Sequence, residues 1–272
     1  MTGSGGLIGR ALAQALRMSG DLVIAVPRDR PELDGADAVV HLAGAPIAVR
    51  WTARRKRGIL ESRVLGTERI VDAIARHLPA PRVLVCASAI GYYGDRGGEE
   101  LTESSAPGMD FLSDVVREWE RAARASPVRS VQLRFGIVLS PGGGALAKML
   151  PAFRLGLGGR LGSGGQWMSW ITLHDIVRVI RLAIVSDALT GPVNAVAPQP
   201  VTNAEFTAVL GRVVRRPAAI PVPAFALRAL FGEMAGLTML VSQRVKPVRL
   251  EEAGFRFEYP TLEGALRHEL SG

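Results

Sequence analysis

The first nine residues constrain this chain more than any later stretch. Thr2, Gly3, Gly6 and Gly9 spell T-G-x-x-G-x-x-G, and the pattern runs into residues 10–18, with Ile8, Leu12 and Leu16 at helical spacing. Such a turn lets backbone approach a pyrophosphate closely, and the helix it opens aims free N–H groups and the positive end of its dipole at the phosphates. The turn therefore predicts cofactor contacts at Gly3, Ser4, Gly6, Leu7, Ile8 and Gly9. A glycine pattern alone is weak. Here residues 22–26, Leu-Val-Ile-Ala-Val, follow as a short strand of the buried type and complete the turn, helix and strand of a dinucleotide unit.

The end of that strand bears on which dinucleotide is expected. An acidic side chain there suits the ribose 2′-hydroxyl of NAD, and an arginine suits the 2′-phosphate of NADP. The chain offers Pro27-Arg28-Asp29-Arg30. Arg28 favours NADP(H), Asp29 argues the other way, and a plain surface arginine is the alternative.

Strand-like segments at residues 38–43, 82–87 and 130–134 alternate with helical patterns at 63–77 and 111–123. That rhythm predicts an α/β fold, a Rossmann-like doubly wound parallel sheet whose ligands sit beyond the carboxyl ends of the strands. Gly44, Ser88, Tyr92 and Tyr93 then line the cleft. The expected organisation is a dinucleotide-binding core over residues 1–141, to which the Asn194 region returns. A mixed substrate-side and C-terminal domain follows over residues 142–272. In that second part, glycine-rich loops at 156–165 either shape a pocket or make ordinary turns. Two amphipathic helices at 202–215 and 223–235 and a closing helix at 262–270 follow.

Composition narrows the class further. Of 272 residues, 48% are hydrophobic and 21% charged, which describes a globular chain. No apolar run reaches the roughly 18 residues of a membrane span, since Arg228 and Glu233 interrupt the greasiest stretch. One cysteine, Cys86, allows no internal disulfide and fits a reducing cytoplasm. The net charge of +8 raises the question of nucleic acid, but only residues 50–57 form a basic run. With no aromatic-interleaved basic motif beside the charge, nucleic acid ranks third among the readings and is not the expected partner. That run is either a solvated helix face or a phosphate-facing patch.

Several segments together resemble a known family. Thr2 to Gly9, Leu42-Ala43-Gly44, Gly91-Tyr-Tyr-Gly-Asp95, Leu133-Arg134, Trp170-Ile-x-x-x-Asp175, Gly191-Pro-Val-Asn194 and Glu252-Ala-Gly-Phe-Arg-Phe257 resemble the atypical extended short-chain dehydrogenase/reductases of the epimerase-family subgroup. The resemblance runs from residue 2 to about 270. It implies a Rossmann core, NADP(H), a small-molecule substrate and a C-terminal domain of unassigned role. It also adds Leu42, Ala43, Gly44, Ala87 and Arg134 to the cofactor-binding set.

Two departures stand out. Family members have a strand before the glycine turn, and room for a helix and a further strand where this chain passes directly from Arg28 to Leu33. Neighbouring strands lie about 4.8 Å apart, so a missing central strand would leave a hole of about two spacings. The expectation is that the first strand and one further strand are missing from the chain, through a start set too late or omitted segments.

The resemblance also frames the catalytic question. Extended family members use a tyrosine and, four residues later, a lysine on one helix face. Phe111 and Val115 occupy those slots here, and neither can move a proton. Tyr92 and Ser88, at the rim of the preceding strand, are the candidate catalytic residues, with the family's serine slot falling on Ala89. Tyr93 reads as packing or substrate contact and His41 as a buried strand histidine. Residue spacing supports no metal site and no hydrolase elbow. Two function classes result: an NADP(H)-dependent oxidoreductase or epimerase with an unconventional proton donor, or a non-catalytic NADP(H) sensor or scaffold.

Overall fold

The computed structural model describes residues 1–27 and 31–271. Its centre is a four-stranded parallel sheet built from β1 (Ala38–His41), β2 (Val83–Ala89), β4 (Arg129–Phe135) and β8 (Gly191–Ala195), in the order β1-β2-β4-β8. Helices cover both faces, as a parallel sheet requires. On one side α1 (Leu7–Met18) and α5 (Leu173–Val185) bury Leu12, Ile176, Val179 and Ile180 against Val40, Val83, Val85, Val131 and Leu133. On the other, α2 (Ala53–Arg76) and α3 (Phe111–Arg124) bury Ile70, Ile74, Trp119 and Ala123 against Val39, Leu84 and Cys86. Period-two alternation sends Val83 and Val85 to one layer and Leu84 and Cys86 to the other, so the strand reads as a continuous apolar run.

The sheet edge differs from expectation. Residues 22–26 form no strand, and Leu22 is 88% exposed. Only Met1 and Thr2 precede the glycine turn, too few to carry a ladder on two sides. Even so, Thr2 stands in the slot of the missing strand: its N–H donates to the Val40 carbonyl at 2.9 Å and its carbonyl accepts from Leu42 at 3.3 Å. Its hydroxyl meets His41 Nδ1 at 2.7 Å in a buried contact. On its far side, Val26 N–H donates to the Met1 carbonyl at 2.8 Å. The anticipated hole is thus partly filled by two residues.

Beyond β4 the chain builds a second core. Short pairs β5 (Ile137–Leu139) with β7 (Trp170–Thr172), and β6 (Trp167–Met168) with β9 (Val201–Thr202), support α4 (Gly144–Arg154), α6 (Asn203–Val213) and α9 (Leu262–Leu270). Leu146, Leu150, Phe153, Trp170, Phe206, Leu210 and Leu266 interlock there. A capping box, Thr202 with Glu205, opens α6. The segment expected as a helix over 223–235 breaks at Gly232, whose φ of +64° ends α7 (Ala224–Phe231). Two residues, β3 (Glu100–Leu101), pair with β10 (Arg244–Val245), and α8 (Val248–Glu252) follows. Among the described residues no helix is long and apolar enough to cross a membrane.

Thr2→Val keeps the shape of the side chain and removes its hydroxyl from His41. If Thr2 anchors the sheet edge as described, urea unfolding will show a loss of about 1–3 kcal/mol, the cost of leaving a buried polar group short of its partner.

Candidate functional site

The glycine turn is shaped by backbone packed on backbone. Gly3 has φ +70°, and a Cβ there would lie 2.8 Å from the Leu42 carbonyl carbon and 2.9 Å from Ala43 N. A Cβ on Gly9 would fall 2.1 Å from the Gly3 carbonyl oxygen. Turn, β1 end and α1 can approach this closely only without side chains at those two positions. Gly6 caps α1 with no side-chain hydrogen bond, and the first turn of the helix holds no acid. Its leading N–H groups are thus left for a ligand. This cradle suits a dinucleotide pyrophosphate. The Leu7 side chain packs toward Gly143 and Ile8 into the core, so both can offer only backbone N–H groups. Ser4 is half-buried in the turn, and Gly5 and Gly6 make its exposed side. Arg28 lies outside the described residues.

Three strands present a polar row at their carboxyl ends. Ser88, Arg134 and Asn194 are register partners across β2, β4 and β8. Glu120 on α3 closes the row from above. Arg134 donates from Nε and Nη2 to its two carboxylate oxygens at 2.7 and 2.8 Å, and from Nη1 to the Tyr93 hydroxyl at 2.9 Å. The Tyr93 hydroxyl donates in turn to Asn194 Oδ1 at 2.7 Å. Burial opposes the charge on Arg134, the Glu120 carboxylate outweighs it, and the guanidinium stands above its ordinary pKa. Burial pushes Tyr93 up to about 12 although Arg134 pulls the other way.

Two expected site residues are bound into this network. Arg134, expected at the cofactor, is buried, and its guanidinium is spent on Glu120 and Tyr93. Ser88, expected to orient substrate, donates its hydroxyl to Glu120 Oε1 at 2.7 Å and is equally buried. Tyr92 differs: half-buried at the rim, it makes no side-chain hydrogen bond among the described residues. Its ring carries the Arg134 guanidinium 3.5 Å from its centroid and meets Tyr93 edge-on. Leu42, Ala43 and Gly44 follow β1 beside the glycine turn, and Ala87 lies buried in β2, one residue before Ser88.

Glu120 escaped the sequence reading. Its signal was present: it sits beside Trp119 on a stripe of α3 that otherwise buries Leu112, Val115, Val116, Trp119 and Ala123. An acid on an apolar stripe calls for a buried cation. In the tyrosine and lysine slots the same helix presents Phe111, faced by Trp51 at 5.3 Å and Lys56 at 4.7 Å, and the buried Val115.

With this geometry established, comparison with known proteins is informative. The model of the NAD dependent epimerase/dehydratase family matches residues 1–195, and a domain of unknown function matches residues 222–269. An epimerase family protein of Mycobacterium tuberculosis is 43% identical over 288 residues, 98% of this chain and 95% of the relative. The crystal structure of human epimerase family protein SDR39U1 (isoform 2) with NADPH superposes with a TM-score of 0.95 at 35% identity, over 100% of this chain and 98% of that one. A nucleoside-diphosphate sugar epimerase from Corynebacterium glutamicum gives 0.80 at 36% identity, over 99% of this chain and 57% of that one.

Glu120→Gln leaves Arg134 buried without its counter-charge, and urea unfolding is expected to show a loss of about 3–5 kcal/mol. Replacing both partners with apolar residues, Glu120→Leu with Arg134→Met, should recover most of it.

Proposed function

Because the chain belongs to the NAD dependent epimerase/dehydratase family, we propose that it binds NADP(H) and acts as an oxidoreductase or epimerase on a carbonyl or sugar-nucleotide-like substrate. The observation that carries the cofactor half is the cradle made by Gly3, Gly6 and Gly9 at the uncapped start of α1. The NADPH named with the human structure supports the phosphorylated form. Arg28 is the residue assigned to the 2′-phosphate.

When bound, the nicotinamide supplies or takes up a hydride. The chain's own part is to exchange a proton with the substrate oxygen and hold that oxygen in place. Of the hydroxyls at the end of β2, Ser88 is spent on Glu120 and Tyr93 on Asn194, so Tyr92 is assigned the proton. The division into residues 1–141 and 142–272, with α5 and β8 returning to the first part, sets the cleft between two cores. A single cysteine, Cys86, which can form no internal disulfide, supports a reducing, cytoplasmic setting.

A second reading has an observation of its own. Phe111 and Val115 stand where the resembling families carry tyrosine and lysine, which favours a protein that holds NADP(H) as a sensor or scaffold without turnover.

Titration calorimetry should give tighter binding of NADPH than of NADH, and equal affinities would remove the preference. Tyr92→Phe should lower NADPH oxidation over a panel of carbonyl substrates by about 10²–10⁴ with NADPH affinity unchanged. Ser88→Ala should leave turnover largely intact and cost about 1–3 kcal/mol of stability. Tight NADPH binding with neither NADPH oxidation nor epimerisation of any substrate would favour the sensor reading instead.

A further inference from the structure

Charge is unevenly shared along the chain. Residues 38–60, 121–174 and 206–232 contain no acidic side chain. The fold brings parts of all three stretches onto one face. Residues 154–161 run beside residues 216–222: Arg216 Nε donates to the Arg154 carbonyl at 3.1 Å, Ile220 N–H to the Gly158 carbonyl at 3.2 Å and Val222 N–H to the Arg160 carbonyl at 2.9 Å. Helix α7 starts directly after this pairing. Beyond its far end the chain meets the basic run of residues 50–57, where Lys56 pairs with Glu233 at 2.5 Å and a Cβ on Gly232 would lie 3.9 Å from Arg50 Nε.

Two kinds of side chain stand out from this face. Leu155, Leu157, Ile220, Phe225 and Leu230 are 50–75% exposed. Among them Arg154, Arg160, Arg215, Arg216 and Arg228 are exposed and make no ion pair among the described residues. Arg215 even holds φ +54° at the end of α6, a conformation that glycine usually takes there. Single exposed apolar residues need no explanation, but a group of them on adjoining segments marks a surface that meets a partner.

The chemistry of the face selects that partner. A second copy of this chain would set the same arginines against these, and like charges repel. A nucleic acid would pair with the arginines, but four of the five apolar side chains are aliphatic and cannot stack on a base. A membrane surface with anionic headgroups suits both kinds: apolar tips enter the acyl boundary while guanidinium groups pair with phosphates at headgroup level. Arg50, Arg54, Arg55 and Arg57, all exposed, extend the attraction beyond the inserted tips.

We propose that this face docks the protein peripherally on an anionic lipid surface, with Phe225 and Leu230 of α7 and Leu155 and Leu157 of the neighbouring loop entering the bilayer boundary. The docking is independent of the cofactor and of any chemistry in the cleft.

The test sediments the full chain with vesicles of phosphatidylcholine alone, and of phosphatidylcholine with about 30% phosphatidylglycerol, at low and high salt. Unmutated protein should partition onto the anionic vesicles at least about tenfold more than onto the neutral ones, and high salt should shrink the difference. Phe225→Ser with Leu230→Ser should lower partitioning about tenfold at either salt, and Arg215→Glu with Arg228→Glu should remove the preference for anionic vesicles. Val185→Ser, which changes an exposed apolar residue at the end of α5, should leave partitioning as it was. Hydrogen exchange of the unmutated protein needs no variant, and anionic vesicles should protect residues 154–160 and 220–231. Absence of partitioning onto anionic vesicles overturns the proposal, as does partitioning that both double variants keep, equal loss in Val185→Ser, or protection confined to other residues. Binding of duplex DNA through these arginines without vesicle binding assigns the face to nucleic acid and overturns it too. Self-association without vesicle binding, lost in Phe225→Ser with Leu230→Ser, assigns the face to a second copy with the same consequence.

Discussion

The buried pair of Arg134 and Glu120 organises the carboxyl end of the sheet. Each charge costs several kcal/mol to remove from water, so the pair is tolerable only with its remaining valences filled. Ser88 and Tyr93 fill them, and Asn194 completes the row. Because Ser88 on β2 and Arg134 on β4 both donate to Glu120 on α3, and Asn194 on β8 joins them through the Tyr93 hydroxyl, the network ties the height of α3 to the sheet. Tyr92 inherits its place from the same arrangement, since its ring lies under the guanidinium. A disturbance of this pair would therefore move the rim of the cleft as well as weaken the core.

The other end of the cleft relies on the absence of side chains. Gly3 and Gly9 allow the turn, β1 and α1 to touch through backbone atoms, and the helix start is left uncapped. The two ends meet at residues 42–45, which lean on Gly3 on one side and receive Arg63 on the other. Apolar burial holds the helices over the sheet. The cleft itself is set by a cradle without side chains, a neutralised buried pair, and a cation with no counter-charge among the described residues.

The helix that carries a tyrosine and lysine in the resembling families has been rebuilt here as a packing surface. Phe111 and Trp119 lie under Lys56 and Arg63 from α2, so two cations reach this helix across the interface. Rings and cations of this kind attract through the quadrupole of the ring. The arrangement leaves the helix without an exchangeable proton at those two positions and shifts polar chemistry to the neighbouring rim and to α2.

The strength of the periodic signals decided what could be read early. The glycine turn, the alternation of strands and helices, and the apolar runs of β2 and β4 all lie in local sequence, because backbone sterics and side-chain period act over a few residues. Residues 22–26 misled, since their composition is that of a strand while a strand exists only with a hydrogen-bonded neighbour, and Met1 and Thr2 offer too little. Ser88 reads as facing the cleft from its place at a strand end, and Arg134 as a cofactor residue from the resemblance. The chain alone could not reveal that Glu120, 32 residues from one and 14 from the other, would claim both. Arg63 carries no signal of its own in the sequence, and only the packing of α2 on α3 and Gly44 encloses it. The sequence by itself determined the fold class, the cradle and the loss of the tyrosine and lysine pair, because these depend on residue type and spacing. Which polar groups are spent and which remain free was decided only by the tertiary structure, because a hydrogen bond or ion pair is set by distances between segments that no local pattern encodes.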